Sequence, residues 1–106
     1  MTDTLLSRTA ALRDTLERQF QAHTGQLIEL TGYSREPNHG GHDPDTLRAL
    51  IETARQGIAD SAGALRRMSE GTYGRCENCG SEIPVARLEI RPSARYCVPC
   101  QQRQHR

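Results

Sequence analysis

Residues 71–100 read GTYGRCENCGSEIPVARLEIRPSARYCVPC, and the two Cys-x-x-Cys turns in this stretch decide how the end of the chain folds. Cys76 and Cys79 form one pair, Cys97 and Cys100 the other, with seventeen residues between Cys79 and Cys97. Two residues between cysteines let a tight turn aim both sulfurs at one point. Two such turns supply the four thiolates of a tetrahedral Zn²⁺ site, with each sulfur about 2.3 Å from the metal. One structural zinc ion held by Cys76, Cys79, Cys97 and Cys100 is therefore expected. Four thiolates leave no open position for water, which argues against catalytic zinc. Two disulfides would require an oxidising compartment, and an iron centre would use the same four donors. A thioredoxin-like redox turn would need a βαβ pattern around it, which is missing here. A thiol-sensitive zinc switch is compatible with the same ligands.

Around the cysteines the segment is too short to bury a core without a metal. Ile83-Pro84 and Leu88-Glu89-Ile90 are expected to form short strands or turns. Their apolar side chains, with Val85 and Tyr96, would build a small core beside the metal. Gly80, directly after the first pair, is expected to be left-handed.

Working outward, Gly71 is where the long helical period stops. Before it, Leu47, Ile51, Ala54, Ile58, Ser61, Leu65 and Met68 step by 4 and 3, with Leu50 and Ala62 widening the stripe. This predicts a helix over residues 44–70, opened by Asp43 as cap and Pro44 at the first helical position. Residues 32–44 have loop composition. An earlier stripe, Leu5, Thr9, Leu12, Leu16, Phe20, His23, Leu27 and Leu30, predicts a first helix capped by Asp3, starting near Thr4 and stopping at Gly32, with Gly25 as a weak point. Two helices of about 26 residues, each about 40 Å long, joined by one loop predict an antiparallel coiled-coil hairpin. No third amphipathic helix exists to complete a bundle. The expected fold is mainly α: a hairpin over residues 1–70, with its tip loop at 32–44, then a four-cysteine zinc-finger module over residues 71–106 with a short C-terminal helix.

Composition agrees with an elongated shape. Of the 106 residues 35% are hydrophobic and 4% aromatic, with no Trp, too little for a large globular core. Net charge is +1, which by itself selects no partner. Residues 1–70 carry 8 Arg against 10 acids, and residues 71–106 carry 6 Arg against 3. The start, Met1-Thr2-Asp3-Thr4-Leu5-Leu6, has neither the basic nor the apolar region of a signal peptide, and no run is long enough to span a membrane. A cytoplasmic protein with reduced thiols is expected, with no membrane partner.

Gly71-Thr72-Tyr73-Gly74-Arg75-Cys76-Glu77-Asn78-Cys79-Gly80, Ile83-Pro84, Arg87-Leu88-Glu89-Ile90-Arg91-Pro92 and Tyr96-Cys97-Val98-Pro99-Cys100 together resemble the DksA/TraR family of bacterial transcription regulators. The resemblance covers residues 68–101, about a third of the chain. It implies a protein that binds RNA polymerase rather than DNA. The hairpin would enter the secondary channel and acidic tip residues would act near the catalytic centre, in some members together with the alarmone ppGpp. The family's tip motif is Asp-x-x-Asp-x-Ala. Here the corresponding stretch is Asp43-Pro44-Asp45-Thr46-Leu47, in which Asp43-Pro44 resembles the start of the motif and Asp45 stands in a different register. Asp43 and Asp45 are thus the candidate partner-binding residues, and each also has an ordinary use at the start of a helix.

Other candidates are weaker. His39-Gly40-Gly41-His42 has the look of a metal clip but also of a plain glycine loop. His23, on the first stripe, reads as a seam histidine. Arg87, Arg91, Arg95, Arg103 and Arg106 form a basic excess with little aromatic interleaving, weak grounds for nucleic-acid binding. No nucleophile triad, phosphate-binding glycine loop or catalytic carboxylate pair is present, so an enzyme is not expected. Besides a polymerase-binding regulator, the sequence is compatible with a zinc-ribbon nucleic-acid-binding module or a structural adapter without tip activity.

Overall fold

The computed structural model describes the backbone of residues 2–104 and the side chains of residues 8–104. Two long helices form a hairpin, α1 over Thr2–Ser34 and α2 over Pro44–Glu70, followed by two short helices, α3 over Val85–Ile90 and α4 over Val98–Gln104. The molecule is elongated, 56 × 34 × 21 Å. The side chains of Asp3 and Leu5, and Arg106, lie outside the described residues.

The two predicted stripes are the hairpin seam. Leu16, Leu47, Ala54 and Ser61 are buried. Thr9, Leu12, Phe20, His23, Leu27, Leu30, Ile51, Ile58, Leu65 and Met68 are half-buried. Small residues on α2 bring the helices close. The His23 ring lies over Gly57, where a Cβ would come within 2.6 Å of it. Ser61 satisfies its buried hydroxyl by donating 2.7 Å to the Gly57 carbonyl.

Three expectations for the hairpin are corrected. Leu50 and Ala62 are exposed, and Ala64 and Arg67 are buried in their place. Helix α1 begins at Thr2, ahead of Thr4. It also runs unbroken through Gly25 and Gly32 to Ser34. Proline, not glycine, supplies the stop: Pro37 disfavours helical backbone at Glu36. The chain leaves α1 through tight turns, Arg35 N–H to Gly32 O and Glu36 N–H to Tyr33 O. The second helix starts and stops where its signals stand. Asp43 caps it, and Gly71, at φ 79°, ends it by donating to the Arg67 and Met68 carbonyls.

Beyond Gly71 the chain folds around the cysteines. Arg75 and Glu82 form an antiparallel bridge, flanked by Cys76 N–H to Ser81 O and Ile83 N–H to Gly74 O. The core holds Cys76, Ile83, Leu88, Ala94 and Cys100, with Leu12 of α1, Tyr73 and Tyr96 packed against it. The expected strand or turn over Leu88–Ile90 is instead part of helix α3, launched by Pro84 and carried by the good helix formers Ala86, Arg87, Leu88 and Glu89. In a strand Leu88 and Ile90 would share a face. In a helix they point to nearly opposite sides, so Leu88 is buried while Ile90 is 87% exposed and outside the core.

Candidate metal centre and hairpin tip

The bridge between Arg75 and Glu82 turns the chain at Cys76–Gly80, and Gly80, at φ 77°, closes the turn by donating to the Cys76 carbonyl. The second pair enters α4: Gln101 N–H bonds the Cys97 carbonyl, so Cys97 stands just before the first turn and Cys100 within it. Glu77 N–H to Arg95 O ties the two turns together. As a result the four sulfurs all lie within 4.8 Å of one another. Cys79 and Cys97 are 3.7 Å apart. A tetrahedron with about 2.3 Å metal–sulfur bonds requires sulfurs about 3.8 Å apart. None of the four is paired in a disulfide.

The surroundings prepare the sulfurs for a cation. Burial alone would raise the Cys76 thiol, but the backbone N–H groups of Cys97, Cys79 and Asn78 and the Cys100 side chain bring it down to about 6. The Ser81 hydroxyl and N–H lower Cys79. At Cys97 the Cys100 N–H pulls the thiol down, yet the neighbouring Cys100, Cys79 and Cys76 sulfurs and burial push it up to about 11. Thiolates this close repel one another, and a divalent cation removes that repulsion. Cys100 also receives Asn78 Nδ2 at 3.4 Å and an Arg103 guanidinium nitrogen at 3.6 Å. Donor chemistry and spacing both fit one structural zinc ion, whose role here is to hold the fold. In the sequence Arg103 counts only toward the basic excess and Asn78 only toward the family pattern, and neither is assigned to the sulfurs. The signals were there: Asn78 sits inside the first turn, and Arg103 follows Cys100 by three on a helix.

The other named arginines are largely committed. Arg87 donates to the Tyr96 carbonyl at 3.3 Å. Arg95 binds Glu77 through Nε and a terminal nitrogen, at 2.9 and 2.7 Å, and lies 5.3 Å over the Tyr96 ring. Arg103 donates to the Pro99 carbonyl.

The hairpin tip stands at the other end. From Leu12, which touches the finger core, to Ser34 runs 22 residues of helix, about 33 Å at 1.5 Å per residue. The loop folds as a short left-handed turn over His39–Gly41. His42 rests against Tyr33 with ring centroids 5.5 Å apart, and no group of three or more metal-ligating side chains among the described residues includes His39 or His42. Asp43 Oδ2 accepts from the N–H groups of Asp45 and Thr46, both at 3.1 Å. Among the described residues Asp45 pairs with Arg48, 3.2 Å away, and its side chain is 87% exposed. The structure thus assigns the two acids different work: Asp43 caps α2, and Asp45 faces outward. No helix among the described residues is long and apolar enough to cross a membrane.

Residues 71–106 match the prokaryotic dksA/traR C4-type zinc finger. The RNA polymerase-binding transcription factor DksA of Caulobacter vibrioides is 51% identical over 43 residues, 41% of this chain and 30% of that protein. General stress protein 16O of Bacillus subtilis is 42% identical over 59 residues, 56% of this chain and 36% of that protein. The matched segments thus span about a third of these relatives' own lengths. The solved structure of transcription factor DksA2 from Pseudomonas aeruginosa superposes with a TM-score of 0.75 at 27% identity, covering 93% of this chain and 84% of that one.

Proposed function

We propose that this chain belongs to the DksA/TraR family of zinc-finger proteins, a reading supported by the match of residues 71–106 and by the likeness of its fold to DksA2. It is a transcription regulator, not an enzyme, that acts in the bacterial cytoplasm by binding RNA polymerase directly. Cys76, Cys79, Cys97 and Cys100 hold the zinc that orders the base, residues 71–106. The hairpin, residues 1–70, is the probe that enters the secondary channel. Asp45 is the acid delivered there, with Asp43 fixing the start of the helix that carries it.

The observation that supports this reading is the separation of the two ends. A metal-stapled base carries a two-helix arm about 33 Å long, and the arm ends in the exposed carboxylate of Asp45, which makes a surface pair with Arg48 and is otherwise open to solvent. Direct DNA binding fits less well, since Arg87, Arg95 and Arg103 are engaged within the finger.

The test is in-vitro transcription with purified bacterial RNA polymerase, with and without the protein and with and without ppGpp, beside a pulldown on the same polymerase. Retention at micromolar concentration and altered transcript yield are expected. Failure of polymerase to retain the protein would sink the reading. A salt-steep gel shift on DNA would favour a nucleic-acid module. Retention with no transcriptional effect would leave only an adapter.

A further inference from the structure

The loop at the hairpin tip is built around one aromatic ring. Tyr33, in the last turn of α1, is half-buried, as are His39 and His42, in a stretch whose other residues are exposed. Its ring lies on Gly40 so closely that a Cβ there would come 2.5 Å from Cδ1 and 2.7 Å from Cγ. The same ring meets His42 at 41° between planes. Its hydroxyl donates 2.7 Å to Glu29 Oε1, one turn back on α1. The backbone beneath is held in an uncommon shape: His39, Gly40 and Gly41 have φ of 51°, 61° and 83°. A left-handed non-glycine residue such as His39 persists only where its surroundings hold it. Here Gly41 N–H bonds the Asn38 carbonyl and His42 N–H bonds the His39 carbonyl, and Asn38 Oδ1 accepts from Gly40 N–H. His42 directly precedes Asp43, so the end of this arrangement sets where α2 begins.

We propose that Tyr33 is the positioning residue of the tip: by clasping Gly40 and His42 it fixes the loop, and with it the direction in which Asp45 meets the polymerase. The inference rests on the polymerase reading above. A pre-ordered loop spends no affinity on becoming ordered in the complex, and a loop that holds the competent shape only part of the time binds more weakly by that fraction. The ring, rather than the hydroxyl, makes the contacts to the loop.

Four variants test this in the zinc-loaded full chain: Tyr33→Ala, Tyr33→Phe, Gly40→Ala and Asp45→Asn. Gly40→Ala keeps the Tyr33 side chain, crowds its ring and also strains a left-handed backbone position, so it disturbs the clasp from the loop side, while the comparison of Tyr33→Ala with Tyr33→Phe isolates the ring. In the free protein, exchange of the Gly41 and His42 amides is expected to quicken about ten-fold in Tyr33→Ala and Gly40→Ala and to stay within about two-fold in Tyr33→Phe. In transcription, the first two variants should need about ten-fold more protein for half the effect. In an Asp45→Asn background Tyr33→Ala should cost nothing further, because the two act as one unit. Unchanged exchange in Tyr33→Ala, loss in Tyr33→Phe equal to that in Tyr33→Ala, or an undiminished penalty in the Asp45→Asn background would each overturn the clasp. If the wild type itself leaves transcription unchanged, the polymerase reading fails, and the exchange rates still report whether the ring orders the loop.

Discussion

Arg67, in the last turns of α2, is 8% exposed, and its guanidinium lies 3.6 Å from the carboxylate of Glu77, a residue inside the first cysteine turn. The same carboxylate accepts two hydrogen bonds from Arg95. Arg67 also donates to the Ser93 carbonyl, and its own carbonyl accepts from Thr72 and Tyr73. One residue thus joins the hairpin to both halves of the finger. Burial lowers the Arg67 pKa, and the nearby Glu77 opposes that shift.

Glu77→Gln is therefore expected to destabilise the zinc-loaded protein by about 2 kcal/mol, between the values for surface and buried ion pairs, because Arg67 keeps its charge and loses its partner. Arg95→Ala, at an exposed guanidinium, should cost about 1 kcal/mol or less. Urea unfolding of the two variants checks the order, and equal losses would show that Arg67 does not depend on Glu77.

Gly57 and His23 make a second testable pair. Gly57→Ala adds helix propensity worth about 1 kcal/mol but drives a methyl group into the His23 ring, and overpacking of this kind costs about 1–3 kcal/mol. The variant should be destabilised in the wild-type background and stabilised once His23→Ala has opened the space. A double-mutant cycle by thermal melting gives the coupling, and additive effects would contradict the packing.

Tyr73 predicts a response to alkali. Burial raises its pKa from an ordinary 10 to about 12, with Arg67 pulling the other way, and its hydroxyl donates 2.7 Å to the Pro92 carbonyl. A raised folded-state pKa gives stability that is complete below pH about 10 and is lost as pH rises toward about 12. Tyr73→Phe should lose about 1 kcal/mol at neutral pH and show a flatter decline above pH about 10. Melting curves across that range measure both.

Much of this was legible because it rests on local rules. Cysteine spacing, the 3- and 4-step stripes, and the Asp43-Pro44 and Gly71 signals each depend on a few adjacent residues, and each appears where expected. The misses depend on contacts between distant segments. Arg67 lies outside the apolar stripe, and only the finger folded against it buries it. Leu50 reads as core until the helix turns it out. Gly32 reads as a stop, but Pro37, five residues on, and the packing of Tyr33 decide where α1 ends. At Leu88–Ile90 two periods compete over three residues, too few for pattern to choose. At the tip the split between Asp43 and Asp45 required hydrogen-bond geometry, since both letters are the same.

Metal removal should separate the two ends. Zinc binding of this type supplies on the order of 10 kcal/mol of folding free energy, and without it the core of Cys76, Ile83, Leu88, Ala94 and Cys100 is too small to stand. A chelator, or Cys76→Ser, is expected to release zinc and abolish amide protection at Cys76, Ile83 and Leu88. The middle of the hairpin, from Leu16 to Leu30, keeps its seam against α2 and should remain helical by circular dichroism. Complete loss of helix on chelation would mean that the hairpin depends on the finger for its own stability.

The two tip acids should fail differently. Asp43→Ala removes an acceptor used by two backbone N–H groups, which costs about 1 kcal/mol at a helix start. Asp45→Asn breaks only an exposed pair with Arg48, so its effect on folding should be under about 0.5 kcal/mol. In transcription the order reverses: Asp45→Asn should weaken polymerase binding about ten-fold and lose most of the effect, since the outward carboxylate is removed. Asp43→Asn, which keeps an oxygen able to cap, should behave nearly as wild type in both measurements. Melting temperatures and transcript yields on the three variants decide this, and a transcriptional loss in Asp43→Asn without one in Asp45→Asn would assign the delivered charge to Asp43 instead.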